Sequence, residues 1–200
     1  MIAGEGWPWL IVLVLACALV AWTLGPLWAA PFAIPLLLLF LLFRDPARDV
    51  PPLPLAIVAP IDGRIREIVR NAGRLNSGDW TKISIRTNHF GAYTVRSPIE
   101  GLICNVRSEL DTVPPDLPGG LWVRSEEGDD VVLLFPNGGG FLSPKTFIRY
   151  GERLGQGQRF AYLRLAREAE IYLPASAELQ VRQGEKVRAG CDVLATLQAR

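Results

Sequence analysis

The first 43 residues of this 200-residue chain contain no lysine, no arginine and a single acid, Glu5. A cleavable secretion signal opens with a basic stretch, so that pattern is not met here. Histidine occurs once, at His89, and the three cysteines, Cys17, Cys104 and Cys191, form no C-x-x-C pair. One histidine argues against a histidine-rich metal centre, and an odd cysteine count without paired spacing indicates neither a zinc site nor a disulfide framework. Twenty-one basic residues face twenty acidic ones, a net charge of +1, so a general nucleic-acid role is not favoured. The Gly-rich stretch Asn137-Gly138-Gly139-Gly140-Phe141 lacks the Gly-Lys-Ser/Thr of a phosphate loop and reads as a flexible loop. Long helical periodicity is missing after residue 43.

What the first 43 residues hold instead is apolar. From Trp7 to Phe43 the run is interrupted by a few Pro and Gly and by one polar side chain, Thr23. Trp9 to Leu24 is a first run, broken at Gly25-Pro26 because proline lacks a helix donor and disfavours helical geometry before it. Leu27 to Phe43 is a second run of about 26 Å at roughly 1.5 Å per residue, marginal for a hydrocarbon core of about 30 Å. The pattern predicts a tight helical hairpin or one kinked re-entrant unit, with Trp7, Trp9, Trp22 and Trp28 near the water interfaces. Arg44 and Arg48 follow directly, so the positive-inside rule places the body in the cytoplasm. A reducing compartment is compatible with the cysteine usage.

The body reads as strands. Asp49 to Pro60 is proline-rich and reads as a stiff connector. Beyond it, Ile83 and Ile85 alternate with Lys82 and Ser84, and Tyr93 and Val95 with Thr94 and Arg96. Leu121-Trp122-Val123 and Val131 to Phe135 flank Glu126-Glu127-Gly128-Asp129, a hairpin turn. Tyr162-Leu163-Leu165 and Ile171-Tyr172-Leu173 are further strand candidates. The tail from Val181 to Gly190, punctuated by glycine, is similar to the hybrid motif of lipoyl-type barrels, without a lysine placed to carry a lipoyl or biotinyl group. The expected fold is mostly β, a compact antiparallel barrel or sandwich tethered by an N-terminal transmembrane helical hairpin. The expected boundaries are 1–43 for the anchor, 44–60 for the connector and 61–200 for the β domain.

Several segments, in order, carry a resemblance. Phe43-Arg44-Asp45-Pro46-Ala47-Arg48 follows the apolar arm, and Pro60-Ile61-Asp62-Gly63 follows the connector. Then come Arg96-Ser97-Pro98-Ile99-Glu100-Gly101, the segment Glu168 to Pro174 ending in Leu-Pro, and the Gly turn within Val181 to Ala195. Together these resemble the short membrane-anchored phosphatidylserine decarboxylases of prokaryotes, with their Phe-Arg-Asp-Pro-x-Arg, Pro-x-Asp-Gly and Arg-x-Pro-x-x-Gly, over nearly the whole chain. In that family a serine hydroxyl attacks the preceding carbonyl, the amide becomes an ester, and elimination severs the chain. A pyruvoyl group is left on the new N-terminus. Its ketone forms a Schiff base with the substrate amine and accepts the electrons released with carbon dioxide. An Asp and a His help to activate the serine.

The resemblance fails where that chemistry is made. Counting back from Leu173-Pro174, the family's Gly-Ser falls on Ala166-Arg167, and a one-residue slip puts Ala166 at the serine. Neither side chain can attack and then leave. No Gly-Ser dipeptide occurs, and Ser143 and Ser176 are far from register. Counting back from Arg96, the family's His falls on Tyr93 and its neighbouring acid on Gly91. Asp62 alone of the three is retained. The resemblance therefore implies Asp62 as the one kept catalytic position, Tyr93 and Arg167 at the His and Ser positions, and Arg96 and Arg167 as candidate substrate-binding residues. It implies no cofactor, since the self-made pyruvoyl group is not expected, and no metal. Each residue also has a plainer reading: Asp62 as a turn residue, Tyr93 as packing, Arg164 and Arg167 as exposed strand arginines, Arg96 as ordering its turn, His89 as a loop residue. Scission at Gly190-Cys191 would free only ten residues of a strand.

Three functions stay open. A family member without pyruvoyl chemistry would persist as a pseudoenzyme binding lipid or a partner. A working carboxy-lyase would use a non-standard site. A barrel adaptor would have no headgroup site. The resemblance implies phospholipid metabolism at a bacterial inner membrane, with the body facing the cytoplasm. The partners it implies are membrane phospholipid, phosphatidylserine first, and then a second copy or an active paralogue. Nucleic acid is not expected.

Overall fold

The computed structural model of the chain describes residues 7–42, 46–72, 79–87, 92–104, 120–136, 144–163 and 166–198. It divides into two compact units, Met1–Ala47 and Arg48–Arg200.

In the first unit, helix α1 (Trp7–Leu24) is unbroken. Its one proline, Pro8, lies in the first turn, where a missing N–H leaves no bond unmade. Gly25 ends the helix with φ +98, a backbone conformation open to glycine. The chain then forms α2 (Pro26–Ala29), a 3-10 turn (Ala30–Phe32) and α3 (Ala33–Leu42). Both α2 and α3 pack on α1, and the Cys17 thiol lies 3.9 Å from the Ala29 carbonyl. Among the described residues one helix, α1, is long and apolar enough to cross a membrane. The second apolar run is divided before it reaches that length.

The second unit is antiparallel β throughout, and every observed strand pairing runs in that sense. In chain order the strands are β1 (Ala56–Val58), β2 (Gly63–Val69), β3 (Trp80–Thr87), β4 (Thr94–Arg96), β5 (Gly101–Cys104), β6 (Gly120–Arg124) and β7 (Asp130–Leu134). There follow β8 (Lys145–Thr146), β9 (Arg153–Leu154), β10 (Arg159–Tyr162), β11 (Glu168–Pro174), β12 (Glu178–Leu179), β13 (Lys186–Val187) and β14 (Val193–Thr196). They make an eight-stranded sheet in the order β13-β2-β3-β11-β7-β6-β5-β9 and two three-stranded sheets, β4-β10-β8 and β1-β14-β12.

The period-2 pattern decides the faces. Ile83 and Ile85 of β3 and Ala169, Ile171 and Leu173 of β11 turn into one core, which also takes Ile57, Val95, Phe160, Leu163 and Leu194 from the smaller sheets. The other face carries charge: Lys82 lies 3.4 Å from Glu67 and 3.5 Å from Glu170, and Arg66 lies 3.1 Å from Glu168. Further along that face a smaller apolar cluster forms from Trp122, Val132, Leu134 and Tyr172. The hairpin expected at Glu126–Asp129 joins β6 to β7, with Gly128 at φ +87.

The barrel alternative is corrected. The large sheet is open, since its terminal strands β13 and β9 are two residues long and pair on one side only. Towards the C-terminal end of the described residues, β13 joins β2, and β14 joins β1 and β12.

Candidate functional site

The local sequence dictates how Asp62 is held. Gly63 opens β2, and a Cβ there would stand 2.2 Å from the Arg86 carbonyl oxygen. Glycine is what lets β2 press against β3 at this point. The preceding Asp62 is 9% exposed. Its Oδ1 accepts the Ala189 N–H at 2.8 Å, and its Oδ2 accepts the Ala92 N–H at 3.1 Å and Arg48 Nη2 at 2.5 Å. A buried carboxylate requires such charge-assisted partners. Four stretches of chain distant in sequence therefore meet on one side chain.

The second cluster is built on Arg96. Its N–H donates to the Pro60 carbonyl at 2.9 Å and its Nη1 to the Gly157 carbonyl at 3.0 Å. Its stem lies against Gly190 (φ +72), where a Cβ would come within 2.9 Å of Arg96 Cδ. Gly157 (φ +68) in turn would strike Val50 at 2.4 Å if it bore a side chain. Connector, β4 and tail are thus interlocked through two glycines and one arginine.

The other expected positions fall nearby. Tyr93 is half-buried against the main core, and its carbonyl accepts the Leu163 N–H at 2.8 Å. Ala166 is buried in that core. Arg167 is exposed; its carbonyl accepts the Thr87 N–H at 2.9 Å, and Thr87 is the strand partner of Gly63. The backbones at 62–63, 87 and 167 therefore lie side by side, while the Arg167 side chain is exposed. The Thr87 hydroxyl is buried with no hydrogen-bond partner among the described residues. His89, Gly91, Arg164 and Asn137–Phe141 lie outside the described residues. Among the described residues no group of three or more His, Cys, Asp or Glu side chains is placed to hold a metal ion.

Sequence reasoning missed Arg48 as the partner of Asp62, although Arg48 closes the first family segment. The available signal was chemical: a buried acid demands a cation. In the same tail turn, Arg188 is held above its ordinary value by its hydrogen bond to the Asp192 carboxylate. A cleft of about 410 Å³ is lined by Leu53, Leu55, Glu100, Glu126 and Glu127, among others, and a polar one of about 490 Å³ by Arg66, Glu67, Glu168 and Glu170, among others; Asp62, Tyr93, Arg96 and Arg167 line neither.

Fold and site define a mostly antiparallel β protein with an apolar N-terminal helix and a buried acid gripped from three sides. No family model matches the chain. A Nitrosomonas eutropha protein named phosphatidylserine decarboxylase proenzyme is 34% identical, over 98% of this chain and 94% of that protein. Its counterpart of the same name from Cupriavidus metallidurans is 31% identical, over 100% of this chain and 97% of that protein. The chain belongs to the phosphatidylserine decarboxylase family. Among solved structures, the glucose permease IIA of Mycoplasma capricolum matches 72% of this chain and 96% of its own, at 17% identity and a TM-score of 0.46, too slight a likeness to define a shared fold.

Proposed function

We propose that this chain is a non-cleaving family member that serves phospholipid metabolism by binding a phospholipid headgroup, phosphatidylserine first, at the cytoplasmic face of a bacterial inner membrane. One observation carries this reading: a buried alanine and an exposed arginine, Ala166 and Arg167, stand where the family's Gly-Ser is expected. Neither has a β-oxygen or β-sulfur, so the residues present do not fit a self-made pyruvoyl group. Asp62, engaged by Arg48 and two backbone amides, supports a structural role for the retained acid. Arg167 supplies an exposed guanidinium suited to phosphate or carboxylate, and Arg96 lies at the Asp62 end of the same region. A second copy or an active paralogue is the partner this reading allows.

Intact mass is the test. An unbroken chain of 22.0 kDa is expected, together with liposome binding that prefers phosphatidylserine and weakens in Arg167→Ala. Retention of Asp62 and the relatives' names favour a second reading, a working decarboxylase. Two fragments, one capped by a ketone, would establish that reading and remove the first.

A further inference from the structure

In the second unit four large hydrophobic side chains are exposed among the described residues: Leu53, Leu102, Phe147 and Tyr150. Three of them lie on the stretch from residue 145 to 153 and on the strand that pairs with its end. Phe147 continues β8, its N–H donating to the Phe160 carbonyl at 2.9 Å, and the Arg159 guanidinium sits 5.2 Å from its ring centroid. Leu102 of β5 stands directly across from Arg153 of β9. Between them runs the turn that carries Tyr150, 65% exposed, pinned to β5 by the Ile103 N–H to Glu152 carbonyl bond and the Gly151 N–H to Ile103 carbonyl bond. Lys145, Arg149 and Arg153 are exposed along the same stretch. Among the described residues, Glu152, whose carboxylate accepts the Arg149 N–H, and Glu126, which pairs with Arg153, stand against these and Arg159, and exposed Glu100 lies two residues before Leu102. The fourth hydrophobic, Leu53, lies instead in the cleft with Glu100, Glu126 and Glu127.

We infer that the surface formed by Leu102, Lys145, Phe147, Arg149, Tyr150 and Arg153 is a docking face for an anionic phospholipid bilayer, additional to the apolar arm. Phenyl and phenol rings settle at the headgroup boundary, and cations are drawn to an anionic leaflet. Beside Leu53, Glu127 adds acid in the cleft that no described cation of this face pairs with, and would be repelled by it. This inference does not depend on the reading of the Asp62 region, because it involves none of its residues.

Hydroxyl-radical footprinting of the full chain in vesicles reads the exposure of these rings directly. In vesicles rich in phosphatidylglycerol, oxidation of Phe147 and Tyr150 falls several-fold relative to vesicles of phosphatidylcholine alone. It recovers in high salt, while Leu53 is unchanged in all cases. Lys145→Glu with Arg149→Glu weakens docking by about 25-fold or more, at about five-fold per lost cation, and restores oxidation. Equal oxidation in the two vesicle types overturns the inference, and that comparison needs no variant to fold. Protection that instead grows with protein concentration in detergent also overturns it, marking a contact between copies.

Discussion

The arm and the body use the same apolar side chains to opposite effect. In α1 a single residue, Leu10, is buried, and Trp22 is 90% exposed. In the body Ile57, Ile61, Ile65, Ile83 and Ile85 are fully buried. The difference lies in spacing. Strands such as β2 and β3 alternate apolar with charged or polar residues, so each has a polar face and a face for a core. Helix α1 is apolar all round, and a helix of that kind finds its solvent in hydrocarbon or in a large protein core. What separates an anchor from a core element is thus the absence of a polar side.

The sharpest way to break the body is at its buried charge. Asp62→Ala strands the Arg48 guanidinium and frees two amides; a loss of about 3–5 kcal/mol is expected for one half of a buried pair, measured by denaturant unfolding in detergent. Next, the comparison itself can be tested with one substitution made twice. Leu15→Arg, mid-way along α1, opposes insertion by about 3 kcal/mol and lowers the membrane-pelleted fraction. Leu53→Arg on the body changes stability by less than about 0.5 kcal/mol. Equal effects would erase the distinction between arm and body. Gly63→Ala forces a Cβ against the Arg86 carbonyl and lowers stability by about 1–3 kcal/mol. The smallest effect has the opposite sign: Thr87→Val removes a buried hydroxyl that has no partner among the described residues and raises the unfolding midpoint, by at most about 1 kcal/mol of stability.

The strands were legible because their periods are local. Alternation marked β3 and β4, a short apolar run marked β11, and Gly128 marked the hairpin. Sheet closure was not legible, because it depends on which strands end a sheet, and two-residue strands such as β9 and β13 leave no periodic trace. Proline-rich composition marked a connector but hid β1, three residues within it whose burial comes from pairing with β14, more than a hundred residues on. At the candidate site, counting from motifs gave Asp62 and positions 93 and 167 as expectations, whereas the Asp62 grip was hidden. It is made by Arg48 and by two backbone amides, and an amide carries no residue-type signature.

The pairing of β1 with β14 orders events in time. The body's opening strand has its hydrogen-bonding partner only when residues 193–196 exist, and Asp62 gains its Ala189 amide equally late. Bringing such remote segments together pays loop-closure entropy before any contact rewards it. During synthesis, therefore, the strand that opens the body waits without its β14 partner until residues 193–196 have been made.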